Sequence, residues 1–216
     1  MYTHSRYNTF LFDFDYTLAD SSAGIVFCFQ TVFKQYGYND IADDDIKRTI
    51  GKTLEESFIL LTGLTDMEQV MKMKKDYVKT ADIHMNGKTV LYHDTIDTLR
   101  KLKQGGAKVG IISTKYRYRI TTFMSSFLSE DFFDIVIGGE DVSSPKPSPE
   151  GLLYAVDKLG VNKSDVLYIG DSTVDAETAT RAGISFAGVL NGMTTKEELM
   201  RYNNVLVANS LSELCQ

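Results

Sequence analysis

Short apolar runs alternate along this chain with stretches of helical spacing. The runs at 8–14, 107–113, 134–138, 166–170 and 184–190 are rich in Ile, Val and Phe, and Gly or polar residues bound them. Unbroken apolar runs of that length predict strands buried on both faces, as in a parallel sheet. Between them, 95–104 carries Ile96, Leu99 and Leu102 at helical spacing and stops at Gly105-Gly106. Ser148-Pro149-Glu150 opens another helix with a cap, a proline and an acid in the first turn. Its apolar positions are Leu152, Leu153, Val156 and Leu159, and Gly160 ends it. An Ala-rich helix spans 175–182 and ends at Gly183. Strand–helix alternation of this kind predicts an α/β fold with a doubly wound, Rossmann-like parallel sheet.

The stretch 20–93 breaks the rhythm and shows no strand. Helical spacing covers 23–36, 43–50, 53–61 and 66–83, and Thr53 and Glu56 stand at capping-box spacing. The expected organisation is a core built from 1–19 and 94–216, with a small all-helical domain, 20–93, inserted after the first strand.

A length of 216 residues suits one core plus a smaller module. The net charge of -6 argues against nucleic acid, whose phosphates call for a basic face. No apolar run approaches the roughly 20 residues of a membrane span, and Asp13 cuts short Phe10-Leu11-Phe12, so neither membrane nor signal peptide is expected. Cys28 and Cys215 form no metal-type pair and read as free thiols of a reducing compartment. His4, His84 and His93 lack zinc-ligand spacing. Met67, Met71, Met73 and Met85 read as filling of the helical domain's core. Tyr116-Arg117-Tyr118-Arg119 reads as the start of a helix with its basic residues in solvent. The chain is expected to be cytoplasmic; its oligomeric state is not legible.

Four polar clusters end apolar runs: Asp13-Phe14-Asp15-Tyr16-Thr17, Ser113-Thr114-Lys115, Ser144-Pro145-Lys146-Pro147, and Gly170-Asp171-Ser172-Thr173-Val174-Asp175. If the runs are parallel strands, these clusters share the carboxyl edge where α/β sheets bind ligands. Their inventory suits a divalent cation and a phosphoryl group. Asp13 could attack phosphorus. Asp15 could exchange a proton with the leaving oxygen and with water, and Thr17 could bond back to hold the turn. The same pair also suits a loop of capping aspartates. Asp171 could bind Mg²⁺, while Asp175 could instead orient Asp171 or Lys146. Ser113 could hold phosphoryl oxygens with the backbone N–H groups after it. Lys146, stiffened by two prolines, could neutralise phosphate charge; Lys115 ranks behind it.

In this order the clusters resemble the four motifs of the haloacid dehalogenase-like hydrolase superfamily, over essentially the whole chain. Ser113-Thr114-Lys115 and Pro145-Lys146-Pro147 are similar to the branch of phosphoglycolate phosphatases and pyrophosphatases, and the helical insert resembles that superfamily's first type of cap. The resemblance implies Asp13 as nucleophile and metal ligand. It implies Asp15 as acid/base, with its main-chain carbonyl on the metal. Ser113, Thr114 and Lys146 would bind phosphate, Asp171 would bind Mg²⁺, and Thr17 and Asp175 would support. Dehalogenases lack the second aspartate, so Asp15 points to phosphoryl transfer. Tyr16 stands where a glycine is frequent. Within the insert, Gly51-Lys52-Thr53 is the candidate selecting loop, or an ordinary interhelical turn. The expected partner is a small phosphorylated metabolite. The alternatives are a sugar-phosphate mutase, an inorganic pyrophosphatase, or a receiver-like phosphorylation module without turnover.

Overall fold

A computed structural model describes residues 6–215 and, at Cys215, the backbone alone; His4 and the thiol of Cys215 lie outside this description. The chain divides into two compact units. One takes the flanks of the chain, up to Ala19 and from Leu91 onward; the other is Asp20–Val90.

The flanking unit is built on a six-stranded sheet. β1 (Thr9–Phe12) sits inside it. The chain then forms two short strands, β2 (Ala19–Asp20) and β3 (Val90–Leu91), which pair with each other where it leaves and re-enters the flanking unit. β4 (Lys108–Ile112), β5 (Ile135–Ile137), β6 (Val166–Gly170), β7 (Ser185–Val189) and β8 (Leu206–Ala208) complete the large sheet in the order β5-β4-β1-β6-β7-β8. Every neighbouring pair in it is parallel. Side chains alternate faces along a strand, and both faces are covered. Phe10, Phe12, Val109, Ile111 and Ile169 pack with Leu99 and Leu102 of α5 (Thr95–Gln104) and Ile120 and Phe123 of α6 (Arg117–Met124). Leu11, Ile112, Tyr168 and Phe186 pack with α7 (Glu150–Leu159), α8 (Thr173–Ala182) and α9 (Lys196–Leu199). Burial on both sides is why the strands read as continuous apolar runs.

The other unit is helical: α1 (Ser22–Gln35), α2 (Asp43–Lys47), α3 (Leu54–Thr62) and α4 (Met67–His84). Phe29, Phe33, Phe58 and Tyr77 meet in its core with Ile46, Val70 and Met73. Thr53 and Glu56 form the capping box that starts α3.

Several expectations change. β8 was not read from the sequence: it is three residues long, too short for a periodic signal. β2 and β3, two residues each, put a strand at either end of a stretch read as strand-free. Met73 and Met85 are buried, but Met67 and Met71 are half exposed, on the outer side of α4. Arg119 is buried rather than solvated. It lies one turn from Phe123 on the inward side of α6, its guanidinium 5.3 Å and 5.2 Å from the rings of Tyr116 and Tyr118. Cys28 is a buried free thiol. Among the described residues, no helix is long and apolar enough to cross a membrane.

Candidate active site

Sheet register brings the polar clusters level. Phe12 pairs with Ile111 on one side and Ile169 on the other. Asp13 therefore follows β1 level with Ile112 and Gly170, and Ser113 and Asp171 come one residue further along their own strands. The Asp13 N–H donates to the Ile169 carbonyl at 2.8 Å, a last rung beyond the strand. Lys146 reaches the same edge from the loop between β5 and α7. Glu150 ties that loop: its carboxylate accepts the N–H groups of Ser143 and Ser144, each at 2.8 Å.

Lys146 is the hub. Its Nζ lies 2.9 Å from Asp13 Oδ1 and 2.5 Å from Asp175 Oδ1, and it donates to Tyr168 Oη at 3.1 Å. Asp175 is fully engaged. Its Oδ1 also accepts the Tyr168 hydroxyl at 2.9 Å, and its Oδ2 accepts the Ser172 N–H at 3.2 Å and the Ser172 hydroxyl at 2.5 Å. The Ser172 N–H bond is one half of the capping box of α8; the other half is the Asp175 N–H donating to Ser172 Oγ at 3.3 Å. One carboxylate thus starts a helix and holds the lysine.

The electrostatics follow from burial. Desolvation pushes Asp13 up to about 6; Lys146 opposes this and Asp175 adds to it. Asp171 is raised well above the usual carboxylate range, first by burial and then by repulsion from Asp175 and Asp13. Burial alone would discharge Lys146, but Asp13 and Asp175 outweigh it and hold its ammonium firmly protonated.

Carboxylate oxygens of Asp13, Asp171 and Asp175 lie within 4.8 Å of one another. Asp13 Oδ1 is buried and, for all its closeness to Lys146, makes no properly directed hydrogen bond. A hard cation would relieve both disfavoured carboxylates, and Mg²⁺ takes few protein ligands and keeps several waters. Asp175 is already committed to Lys146, Tyr168 and Ser172, so Asp13 and Asp171 are the pair that fits. The backbone comes close here: a Cβ at Gly192 would collide with the Asp171 carboxylate and have to displace it.

Asp15 is also buried at this edge, and Lys115 Nζ contacts both of its carboxylate oxygens, at 2.9 Å and 3.2 Å. The Thr17 hydroxyl reaches Asp171 Oδ1 at 3.5 Å. It does not bond back into its own turn, which backbone bonds hold instead, Leu18 N–H to the Phe14 carbonyl at 2.9 Å and Tyr16 N–H to the Ala19 carbonyl at 2.7 Å. Tyr16 adopts φ 59°, the left-handed region where glycine is at ease. Ser113 is buried at the end of β4, and its Oγ accepts the Lys115 N–H at 3.3 Å. Thr114 is half-buried beside it. Gly51, Lys52 and Thr53 belong to the helical unit. Gly51 has φ 96°, and the Thr53 hydroxyl caps α3.

Tyr168, Glu150 and Gly192 were not singled out from the sequence. A lone hydroxyl inside Val166-Leu167-Tyr168-Ile169 was the available signal for the first. Glu150 was read as a helix-dipole acid, and its bonds to the preceding loop are invisible in spacing. Nothing in the sequence marked Gly192.

The sequence model of the haloacid dehalogenase-like hydrolases matches residues 10–189. A protein of Bacillus cereus (strain B4264) named pyrophosphatase PpaX is 30% identical over 209 residues, covering 97% of this chain and 95% of that protein. The solved structure of a chain from Bacteroides fragilis, described as a haloacid dehalogenase-like hydrolase, superposes with a TM-score of 0.95 at 56% identity, covering 97% of this chain and all of that one. A haloacid dehalogenase-like family hydrolase from Streptococcus pneumoniae superposes with a TM-score of 0.85 at 25% identity, covering 96% of each chain. With its motifs gathered at one sheet edge and its family's sequence model running from β1 to β7, this chain belongs to the haloacid dehalogenase-like hydrolases.

Proposed function

We propose that the protein is a Mg²⁺-dependent phosphatase that hydrolyses a small phosphorylated metabolite, phosphoglycolate-like or a sugar phosphate, in the cytoplasm. The observation that carries this reading is the buried meeting of Asp13, Lys146 and Asp171 at the carboxyl edge of the sheet. Ser113, Thr114 and Lys146 hold the phosphoryl oxygens. An oxygen of Asp13 attacks phosphorus in line, the P–O ester bond breaks, and Asp15 gives its proton to the leaving oxygen. Asp15, now a carboxylate, takes a proton from the water that attacks the aspartyl-phosphate. The phosphorus–Asp13 bond breaks, and inorganic phosphate leaves. Mg²⁺ held by Asp13, Asp171 and the Asp15 main-chain carbonyl would supply positive charge to the phosphoryl oxygens. Asp175, with Tyr168, keeps Lys146 in place, and Thr17 supports Asp171. Selection of the leaving group is assigned to the helical unit, with Gly51, Lys52 and Thr53 as its candidate residues and Lys52 meeting an anionic end.

The test is turnover of para-nitrophenyl phosphate with Mg²⁺ by the wild type and by Asp13→Asn. The variant is expected to lose at least about 10³-fold, as removal of a covalent nucleophile does; unchanged turnover refutes the reading. A panel of phosphoglycolate, hexose phosphates and pyrophosphate then ranks substrates. Pyrophosphate is included because the Bacillus cereus relative carries that activity in its name. Free phosphate from a hexose phosphate with no isomer formed counts against a mutase, and steady multiple turnover counts against a receiver module.

A further inference from the structure

The chemistry above leaves one buried lysine without a task. We propose that Lys115 is the positioning residue of Asp15, fixing its carboxylate for both proton transfers; this rests on the phosphatase reading. Lys115 Nζ contacts both oxygens of Asp15, and the two side chains are only 6% and 11% exposed. Lys146 divides its charge among Asp13, Asp175 and Tyr168; Lys115 Nζ meets Asp15 and the Phe14 ring, whose centroid lies 5.6 Å away. A lysine side chain is long and flexible, but here its base is anchored. Its N–H donates to Ser113 Oγ at 3.3 Å, and its carbonyl accepts the Gly139 N–H at 3.1 Å. Gly139 has to be glycine for that approach, since a Cβ there would stand 2.4 Å from the Thr114 carbonyl oxygen.

Asp15 hands a proton to the leaving oxygen and later receives one from water, so its carboxylate must stay on one line between the two steps. A misplacement of about 1 Å in such a group costs on the order of 10²-fold. An exposed lysine–carboxylate pair would fix little; a buried one, gripping both oxygens from an anchored loop, fixes the carboxylate's rotation.

The experiment compares wild type, Lys115→Met and Lys115→Arg as full chains with Mg²⁺, using para-nitrophenyl phosphate and glycerol phosphate. The nitrophenolate leaves without a proton; the glycerol alkoxide needs one. Lys115→Met is expected to release a burst of about one nitrophenol per site and then turn over slowly, because the aspartyl-phosphate waits for an activated water. With glycerol phosphate it is expected to show no burst and to lose about 10–100-fold. Lys115→Arg recovers most of both rates. Equal losses on the two substrates without a burst, or losses on neither, overturn the proposal. A wild type inert toward both substrates overturns the phosphatase reading and this proposal with it, so wild-type turnover tells the two failures apart.

Discussion

Among the described residues, the helical unit buries polar side chains only as hydroxyls: Ser21, Thr49, Ser57 and Thr89. Each is satisfied close by. Thr49 donates to the Ile46 carbonyl at 2.7 Å, Ser57 to Thr53 at 2.8 Å and Thr89 to Met85 at 2.9 Å, while Ser21 accepts from Thr89 at 3.3 Å. The sheet's carboxyl edge buries Asp13, Asp15, Lys146, Asp171 and Asp175 together. Four acids and two lysines, counting Lys115, leave Asp13 and Asp171 in raised, disfavoured anionic states. Burial of charge alone does not make the difference. Asp94, buried in the same unit, accepts the Ser212 N–H at 2.8 Å and simply ties chain segments together. What sets the edge apart is like charge crowded beyond what its neighbours compensate, an arrangement that costs stability and marks functional sites.

The contrast is broken or sharpened first in the helical unit, where the largest stability effect is expected. Phe58 is fully buried, with ring centroids 4.9 Å from Phe29, 5.8 Å from Phe33 and 6.3 Å from Tyr77. Phe58→Ala leaves a cavity among rigid rings and is expected to destabilise by about 3–5 kcal/mol in denaturant titration. A loss under about 1 kcal/mol would mean that packing does not hold this unit together.

The site should answer with the opposite sign. Asp171→Asn removes a buried charge of nearly the same shape. The fold raises the pKa of Asp171, so the native carboxylate is penalised relative to the unfolded one. Below the unfolded pKa both states are protonated and no penalty exists; it grows as pH rises through the raised native pKa. The metal-free variant is therefore expected to be more stable than wild type at pH 7.5, by about 1–2 kcal/mol, with the gain vanishing toward pH 4. Added Mg²⁺ should raise the melting temperature of the wild type and leave the variant unmoved, and the variant should be inactive. A variant less stable than wild type at pH 7.5 would remove the claim of stored electrostatic cost.

Much of this was legible in the sequence. β1, β4, β6 and β7 stood out because parallel strands covered on both faces leave continuous apolar runs, and α5 matched 95–104 to the residue. Three of the polar clusters were legible because each directly follows such a run, and register then makes them level, whereas Lys146 stands nine residues beyond β5 and reaches the edge through its loop. Three-residue β8 was lost because pairing and not pattern defines it. Tyr168, Glu150 and Gly192 were lost because their roles exist only across chain separations: a hydroxyl on Asp175, a carboxylate on a loop, a missing Cβ beside Asp171. Lys115 was in view but ranked behind Lys146, and only the fold shows which carboxylate it meets.

The smallest effect tests whether distance or burial decides what an ion pair is worth. Lys47 and Asp44 lie 2.9 Å apart, the same separation as Lys146 and Asp13, yet their side chains are 34% and 74% exposed against 5% and 3%. Lys47 lowers the Asp44 pKa through its hydrogen bond and its charge, so whatever the pair contributes is present above the unfolded aspartate pKa and lost as pH falls through the lowered one. Water screens the pair, and holding the long lysine in one rotamer offsets the attraction. Lys47→Ala is therefore expected to move the melting temperature by less than about 2 °C, and about 1 M salt should erase even that. A larger, salt-insensitive drop would show that separation alone sets the strength of these pairs, and the energetic distinction between the helical unit's surface and the sheet's buried edge would fail.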